Sequence, residues 1–142
     1  MNHRKRILIL EDNDERIKKF KENLSLSDLV IVKEASHAIH KLQNESWDAL
    51  FLDHDLGGKT YVSTNDENTG SAVARWLNQN GDKIPELVMI HSLNPPGQQN
   101  MKSLLPSAYV LPFLWLKIND CNFTDENFKL LIRLGRLPYK SN

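Results

Sequence analysis

Short, continuous apolar runs alternate along this sequence with longer segments whose apolar residues recur at helical spacing, and few folds accept that pattern. A strand reads as an unbroken apolar run when both of its faces are covered, as in a parallel sheet. Residues 7–10 form such a run, stopped by Glu11 and Asp12. Residues 29–32, 49–52 and 86–90 read as further strands, and residues 108–116 as a fifth, with Pro112 marking an edge or a bend. Ile17, Phe20 and Leu24 share one face of a helix over residues 14–24. Ser36 is placed to cap a helix that turns Ile39 and Leu42 inward, and Val73, Trp76 and Leu77 lie on one side of a helix over residues 70–78. Asn94-Pro95-Pro96-Gly97 opens a helix ending near Leu105, since proline is tolerated where amides have no intrahelical acceptor. Thr124 caps a last helix carrying Phe128, Leu131 and Ile132, and Gly135 ends it. The alternation predicts an α/β fold: an open five-stranded parallel sheet with helices on both faces and right-handed crossovers, in a single domain over residues 1–142.

A chain of 142 residues can bury one core without disulfides or structural zinc. Acidic and basic residues number 18 each, which argues against sequence-independent binding of duplex DNA, where many cations must release counterions from phosphates. Cys121 is the single cysteine, so no internal disulfide can form and Cys-His zinc spacings are absent; a reducing, cytoplasmic setting is expected. The basic start MNHRKR leads into a run of four apolar residues before Glu11, too few for a signal-peptide core or a membrane span, so no membrane partner is expected.

In such sheets ligands sit at the carboxyl ends of the strands. The polar residues collect there: Glu11 and Asp12 after strand one, Asp53-His54-Asp55 after strand three, His91-Ser92 after strand four with Asn94 two residues on. Carboxylates from adjacent strand ends make a hard oxygen site, with Glu11, Asp12, Asp53 and Asp55 as candidate ligands for Mg²⁺ or Mn²⁺; a histidine shifts the preference toward Mn²⁺ or another transition ion. Taken alone, Glu11 and Asp12 are more simply a strand stop before a helix. Asp53-His54-Asp55 resists that reading, because strand side chains alternate in direction and three polar groups cannot all cap a helix that begins only at residue 70.

His54 and His91 are candidates for proton transfer, since histidine titrates near neutrality. Ser92 lacks a Gly-x-Ser-x-Gly elbow, so its hydroxyl is expected to position a phosphoryl oxygen. Asn94, Lys59 and the Gly97 amide are expected beside it, because Pro95 and Pro96 remove two donors from the helix start and leave those of Gly97 and Gln98 to face an anion. Lys59 and Arg75 are the nearest cations in sequence, with a solvated surface role as the simpler alternative for both. Gly57-Gly58 permits close approach of the backbone to a ligand, or merely a turn. Tyr61, in a polar loop over residues 57–69 long enough to act as a lid, is a candidate stacking surface, while Trp76 and Trp115 fit the core better.

The succession of strands, the acidic pair after the first, Asp53 after the third and Ser92 after the fourth resemble the receiver domain of two-component response regulators. That family's Lys-Pro after strand five falls here on Leu111-Pro112, so its lysine is missing. The fuller resemblance is to the receiver-like branch of cyclic-phosphate-processing domains. It rests on Asp53-His54-Asp55-Leu56-Gly57 and on His91-Ser92-Leu93-Asn94-Pro95-Pro96-Gly97, with Asn68-Thr69-Gly70 and Met101 also similar. The resemblance implies the flavodoxin-like strand order 2-1-3-4-5 and a divalent metal, Mg²⁺ or Mn²⁺. It further implies a metal-dependent phosphoesterase acting on a cyclic phosphate of a nucleotide or RNA end, with pairing into a homodimer as a further expectation. Two rivals share the fold: a stand-alone receiver module phosphorylated on Asp53, and a non-catalytic module that binds a nucleotide or a protein.

Overall fold

Strand β1 (Arg6–Leu10) lies between β2 (Asp28–Val32) and β3 (Ala49–Leu52), and β4 (Leu87–Ile90) and β5 (Tyr109–Val110) follow outward, giving one parallel sheet of order β2-β1-β3-β4-β5. Helices α1 (Asp14–Asn23), α2 (Ala35–Asn44), α3 (Gly70–Gln79) and α4 (Pro95–Leu104) connect them, with a 3₁₀ turn at Gly81–Lys83. This computed structural model describes residues 4–24 and 27–110. The expected course of strand five from residue 111, including Leu111 and Pro112, the last helix capped by Thr124, Trp115, Cys121 and the pairing expected of receiver-like domains all lie outside the described residues.

The period of two along each strand sorts the core into two layers. Ile7, Ile9, Ala49, Phe51, Leu87 and Met89 pack with Phe20 and Leu24 on the α1 face. Leu8, Leu10, Leu50, Leu52, Val88 and Ile90 pack on the other face against α2, α3 and α4, through residues such as Leu42, Val73, Leu77 and Met101. The register aligns Leu10 with Leu52 and Leu52 with Ile90, so the three central strands end together. The first residue after each of them therefore points toward α1.

Helix starts use the expected chemistry in three of four cases. Asn13, Thr69 and Asn94 accept hydrogen bonds from Arg16, Ala72 and Gly97 amides at the heads of α1, α3 and α4. Ser36 is not the cap of α2. That helix begins at Ala35 after Glu34, whose side chain makes no cap bond, and the Ala35 amide instead donates to Asn68 Oδ1 at 2.9 Å. Trp76 packs half-buried against the core and Trp47 is buried, with the Arg6 guanidinium 4.4 Å from its ring centre. Among the described residues no helix is long and apolar enough to cross a membrane.

Candidate functional site

The sheet ladder runs one residue past the apolar strands: the Asp53 amide donates to Leu10 O at 3.1 Å and the His91 amide to Leu52 O at 3.0 Å. Glu11, Asp53 and His91 thus stand side by side at the carboxyl edge, on the α1 face. One ligand atom of each lies within 4.8 Å of the others, and all three residues are buried. His91 Nε2–H donates to Glu11 Oε1 at 3.1 Å, while Glu11 Oε2 accepts the Asp12 and Asn13 amides at 3.0 and 3.1 Å. Phe20 meets the His91 ring edge-on at 5.0 Å and Phe51 lies at 6.2 Å, so aromatic carbon walls the row from below. His91 Nδ1 is buried and has no hydrogen-bond partner among the described residues.

Arg16, one helical turn before Phe20, completes the row. Its Nη1 lies 3.5 Å from Glu11 Oε1 and 3.4 Å from Asp53 Oδ2, with the side chain 29% exposed. The guanidinium holds the charge that two buried carboxylates need. Burial pushes the Asp53 carboxyl up to about 7; Glu11 adds repulsion, against the opposing pull of His91, Arg16 and the His54 amide. Burial also works to raise Glu11, but the His91 hydrogen bond and charge, the Asn13 amide and Arg16 outweigh it and hold this carboxyl below its usual range. Of the two neighbours, Glu11 is the one kept ionised.

Asp53, His54 and Asp55 part company immediately. Asp53 joins the row, with Oδ1 accepting the His54 amide at 2.8 Å. His54 turns into the opposite layer, fully buried, where a Cβ on Gly97 would lie 2.5 Å from its Cγ. Asn100 donates to Ser71 Oγ at 2.8 Å, which leaves the serine proton for His54 Nε2 at 2.9 Å; His54 Nδ1–H then donates to Asp55 Oδ1 at 2.8 Å. The ring expected to transfer protons is thus enclosed and bonded at both nitrogens, an arrangement that ties β3 to α3 and to the loop. His54→Ala is expected to cost about 3 kcal/mol, the price of a buried cavity plus two unpaired groups, read from the urea midpoint.

Asp55 stands outside the Glu11–Asp53–His91 group, although it lines the same cleft as Asp53. Its oxygens accept the Tyr61 amide at 2.7 Å, the Val62 amide at 3.2 Å, Asn94 Nδ2 at 3.0 Å and His54. Burial opposes its ionisation, yet the bonds from His54, Asn94, Tyr61 and Val62 prevail and keep its carboxyl below the usual range. Asp55 is the clamp of the loop. Asp12 stays near the row and accepts the Gly58 amide at 2.9 Å; Gly57 and Gly58 have φ of +72° and +73°, which makes that tight turn a glycine requirement. Arg75 faces the loop too, donating to the Thr64 and Asp66 carbonyls.

An open cleft of about 300 Å³ covers this edge, and Asp12, Arg16, Asp53, Lys59, Ser92 and Asn94 contribute to its walls. Ser92 Oγ accepts the Asn94 amide at 3.0 Å, which leaves its hydroxyl proton available. The expected anion cradle at the start of α4 is absent. The Gly97 amide donates to Asn94 Oδ1 at 3.2 Å and the Gln98 amide to Asn94 O at 2.8 Å, so the cap consumes both donors. Sequence reasoning also passed over Arg16 and Ser71. Arg16 carried a signal, since a cation five residues after Glu11 and four before Phe20 sits at the head of the core-facing stripe.

The family model described as Cyclic-phosphate processing Receiver domain matches residues 6–107. No curated protein matches the chain. Solved receiver domains share its fold at low identity. A CheY-like response regulator receiver domain protein from Methanospirillum hungatei JF-1 has TM-score 0.61 and 16% identity, covering 94% of this chain and 100% of that one. The receiver domain of a modulated diguanylate cyclase from Desulfovibrio desulfuricans G20 has TM-score 0.58 and 17% identity, over 94% and 100%. The Mn²⁺-bound form of the response regulator Rcp1 has TM-score 0.53 and 22% identity, over 94% and 99%.

Proposed function

This chain belongs to the cyclic-phosphate processing receiver domain family, and from that membership we propose that it is a metal-dependent phosphoesterase opening a cyclic phosphodiester on a nucleotide or RNA end. The observation that carries the reading is His91 standing in one buried row with Glu11 and Asp53, directly under a polar cleft. A phosphoryl-accepting aspartate needs no imidazole at that place. Two carboxylates and an imidazole with converging atoms are a donor set for Mn²⁺ or Mg²⁺, and the unpartnered Nδ1 of His91 marks a polar ring that packing alone does not call for.

Glu11, Asp53 and His91 would hold the ion, with Asp12 at the cleft wall; when bound it polarises a phosphoryl oxygen and lowers the pKa of water. The chain's own groups do the rest. In the metal-free row His91 Nε2–H holds Glu11 Oε1, a bond it would give up to bind the ion, while the amides of Asp12 and Asn13 fix Oε2 throughout. Arg16, relieved of its carboxylates by a competing cation, can turn its guanidinium toward phosphate oxygens, for which its fork is suited. Ser92 offers its hydroxyl proton and Lys59 a flexible charge at the same cleft. In the reaction water adds to phosphorus and one ring P–O bond breaks; the proton that water loses is matched by the one the departing oxygen gains.

The test is mass-spectrometric detection of ring opening across cyclic mononucleotides, cyclic oligonucleotides and RNA ends carrying a 2′,3′-cyclic phosphate, with Mn²⁺, Mg²⁺ or chelator. Product is expected only with metal, and His91→Ala is expected to lower its rate by on the order of 100-fold or more. Turnover that persists in chelator, or in His91→Ala at the wild-type rate, overturns the assignment. No product together with labelling of Asp53 by acetyl phosphate identifies a receiver module instead.

A further inference from the structure

Three large apolar side chains among the described residues are exposed: Tyr61 at 81%, Leu93 at 58% and Val110 at 37%. Single exposed apolar residues need no explanation. Here, however, the two most exposed both line the cleft above Asp53, one from the loop after β3 and one from the turn after β4. The two segments are tied together beside them, because Asn94 Nδ2 donates to Asp55 Oδ1 at 3.0 Å and approaches Val62 O at 3.5 Å.

Tyr61 is also held at some cost. Its φ of +52° lies in the left-handed region, and no other described non-glycine residue has a positive φ. The Asp55 carboxylate enforces that conformation by accepting the Tyr61 amide at 2.7 Å and the Val62 amide at 3.2 Å. A strained backbone that presents an aromatic ring to solvent, at the rim of a cleft lined by Arg16, Lys59 and Ser92 beside Asp12, Asp53 and Asp55, is the kind of outlier found at binding sites. A glycine would satisfy the turn without the ring.

We infer that Tyr61 and Leu93 form a nucleobase platform, so that the ligand is a single nucleoside bearing a cyclic phosphate, with the base stacked on Tyr61 and flanked by Leu93. The phosphate half rests on the phosphoesterase reading above; the base half does not. A cleft of about 300 Å³ is at the small end for ligand sites and accommodates one nucleotide. Arg16, Lys59 and Ser92 take the phosphate, and the two apolar residues take the base.

Two probes separate the halves: adenosine 2′,3′-cyclic monophosphate, and 1-O-methylribose 2,3-cyclic phosphate, which lacks the base. Dissociation constants are measured by calorimetry on the full chain in chelator and with Mn²⁺, and turnover of both probes is measured in parallel with Mn²⁺. The wild-type protein is expected to favour the nucleotide by about tenfold or more, the usual worth of one stacked base. Tyr61→Ala should abolish most of that ratio, Leu93→Ser should reduce it, and Tyr61→Trp should preserve it. A short RNA ending in the same cyclic phosphate, compared with the free nucleotide, tells which source presents the base. A wild-type ratio near one, a ratio unchanged in Tyr61→Ala, or binding of neither probe with Mn²⁺ present overturns the inference. Equal turnover of both probes removes the platform and keeps the phosphoesterase, whereas Tyr61-dependent binding without turnover keeps the platform and removes the phosphoesterase.

Discussion

Replacing Asp53 by Asn is expected to lower ring-opening turnover by on the order of 10³ or more and, in the same variant, to stabilise the metal-free protein above pH 7. The first effect follows from the row: an amide cannot supply the anionic oxygen that Asp53 places beside Glu11 and His91. The second follows from linkage. The folded carboxyl titrates at about 7 against an ordinary value of 3.8, chiefly because it is buried. Below about pH 4 it is protonated in both states and costs nothing. Between about 4 and 7 the unfolded chain ionises while the folded chain keeps its proton, so the wild-type protein loses stability as pH rises through that window. Above 7 the whole penalty is present, on the order of 2–4 kcal/mol, since each tenfold change in acidity corresponds to about 1.36 kcal/mol. Asn carries no charge and escapes it. Urea midpoints of both proteins at pH 5 and pH 8, in chelator, check this; an Asn variant no more stable than wild type at pH 8 contradicts it. Mn²⁺ at about 100 times its dissociation constant should return about 2.7 kcal/mol to the wild type and much less to the variant.

The same row shows what the sequence could and could not convey. Residues 49–52 and the helix starting at Gly70 were legible because an unbroken apolar run and a 3.6-residue stripe are local signals. The row itself was nearly legible: Glu11, Asp53 and His91 are each the first polar residue after a run, and parallel strands that end in register must bring such residues together. The division of labour within Asp53-His54-Asp55 was not legible. Alternation says that Asp53 and His54 face opposite layers, but only the arrival of Ser71, 17 residues on, occupies the second nitrogen of the His54 ring. The Ser36 cap failed for a similar reason, since Asn68 reaches the Ala35 amide from 33 residues away. At α4 a local rule did decide the outcome: Asn before Pro-Pro-Gly is a good cap, and a capped helix start has no amide left for an anion.

Gly70→Ala is expected to cost about 3 kcal/mol and to weaken Mn²⁺ binding as well, although residue 70 touches no candidate ligand with a side chain. A Cβ at Gly70 would lie 2.0 Å from the Asp53 carbonyl oxygen, 3.0 Å from the carbonyl carbon and 2.7 Å from Met101 Sδ. The sulfur can move. The carbonyl cannot move freely, because the neighbouring His54 carbonyl accepts the Gly70 amide at 3.1 Å and the Asp53 amide is fixed to Leu10 O. The substitution must therefore push the first turn of α3 away from the end of β3, and the shift falls on the residue that carries the Asp53 carboxylate. Gly81→Ala is the control: nothing lies within 4 Å of its Cβ and its φ is not in the left-handed region, so a change within about 0.5 kcal/mol is expected. Met101→Ala separates the two clashes. If it rescues Gly70→Ala in the urea midpoint, the sulfur was the obstacle and the site is untouched. If it does not, the backbone at Asp53 is the obstacle, and the loss of Mn²⁺ affinity in the single variant, read by calorimetry, ties helix-to-strand packing at Gly70 directly to the geometry of the row.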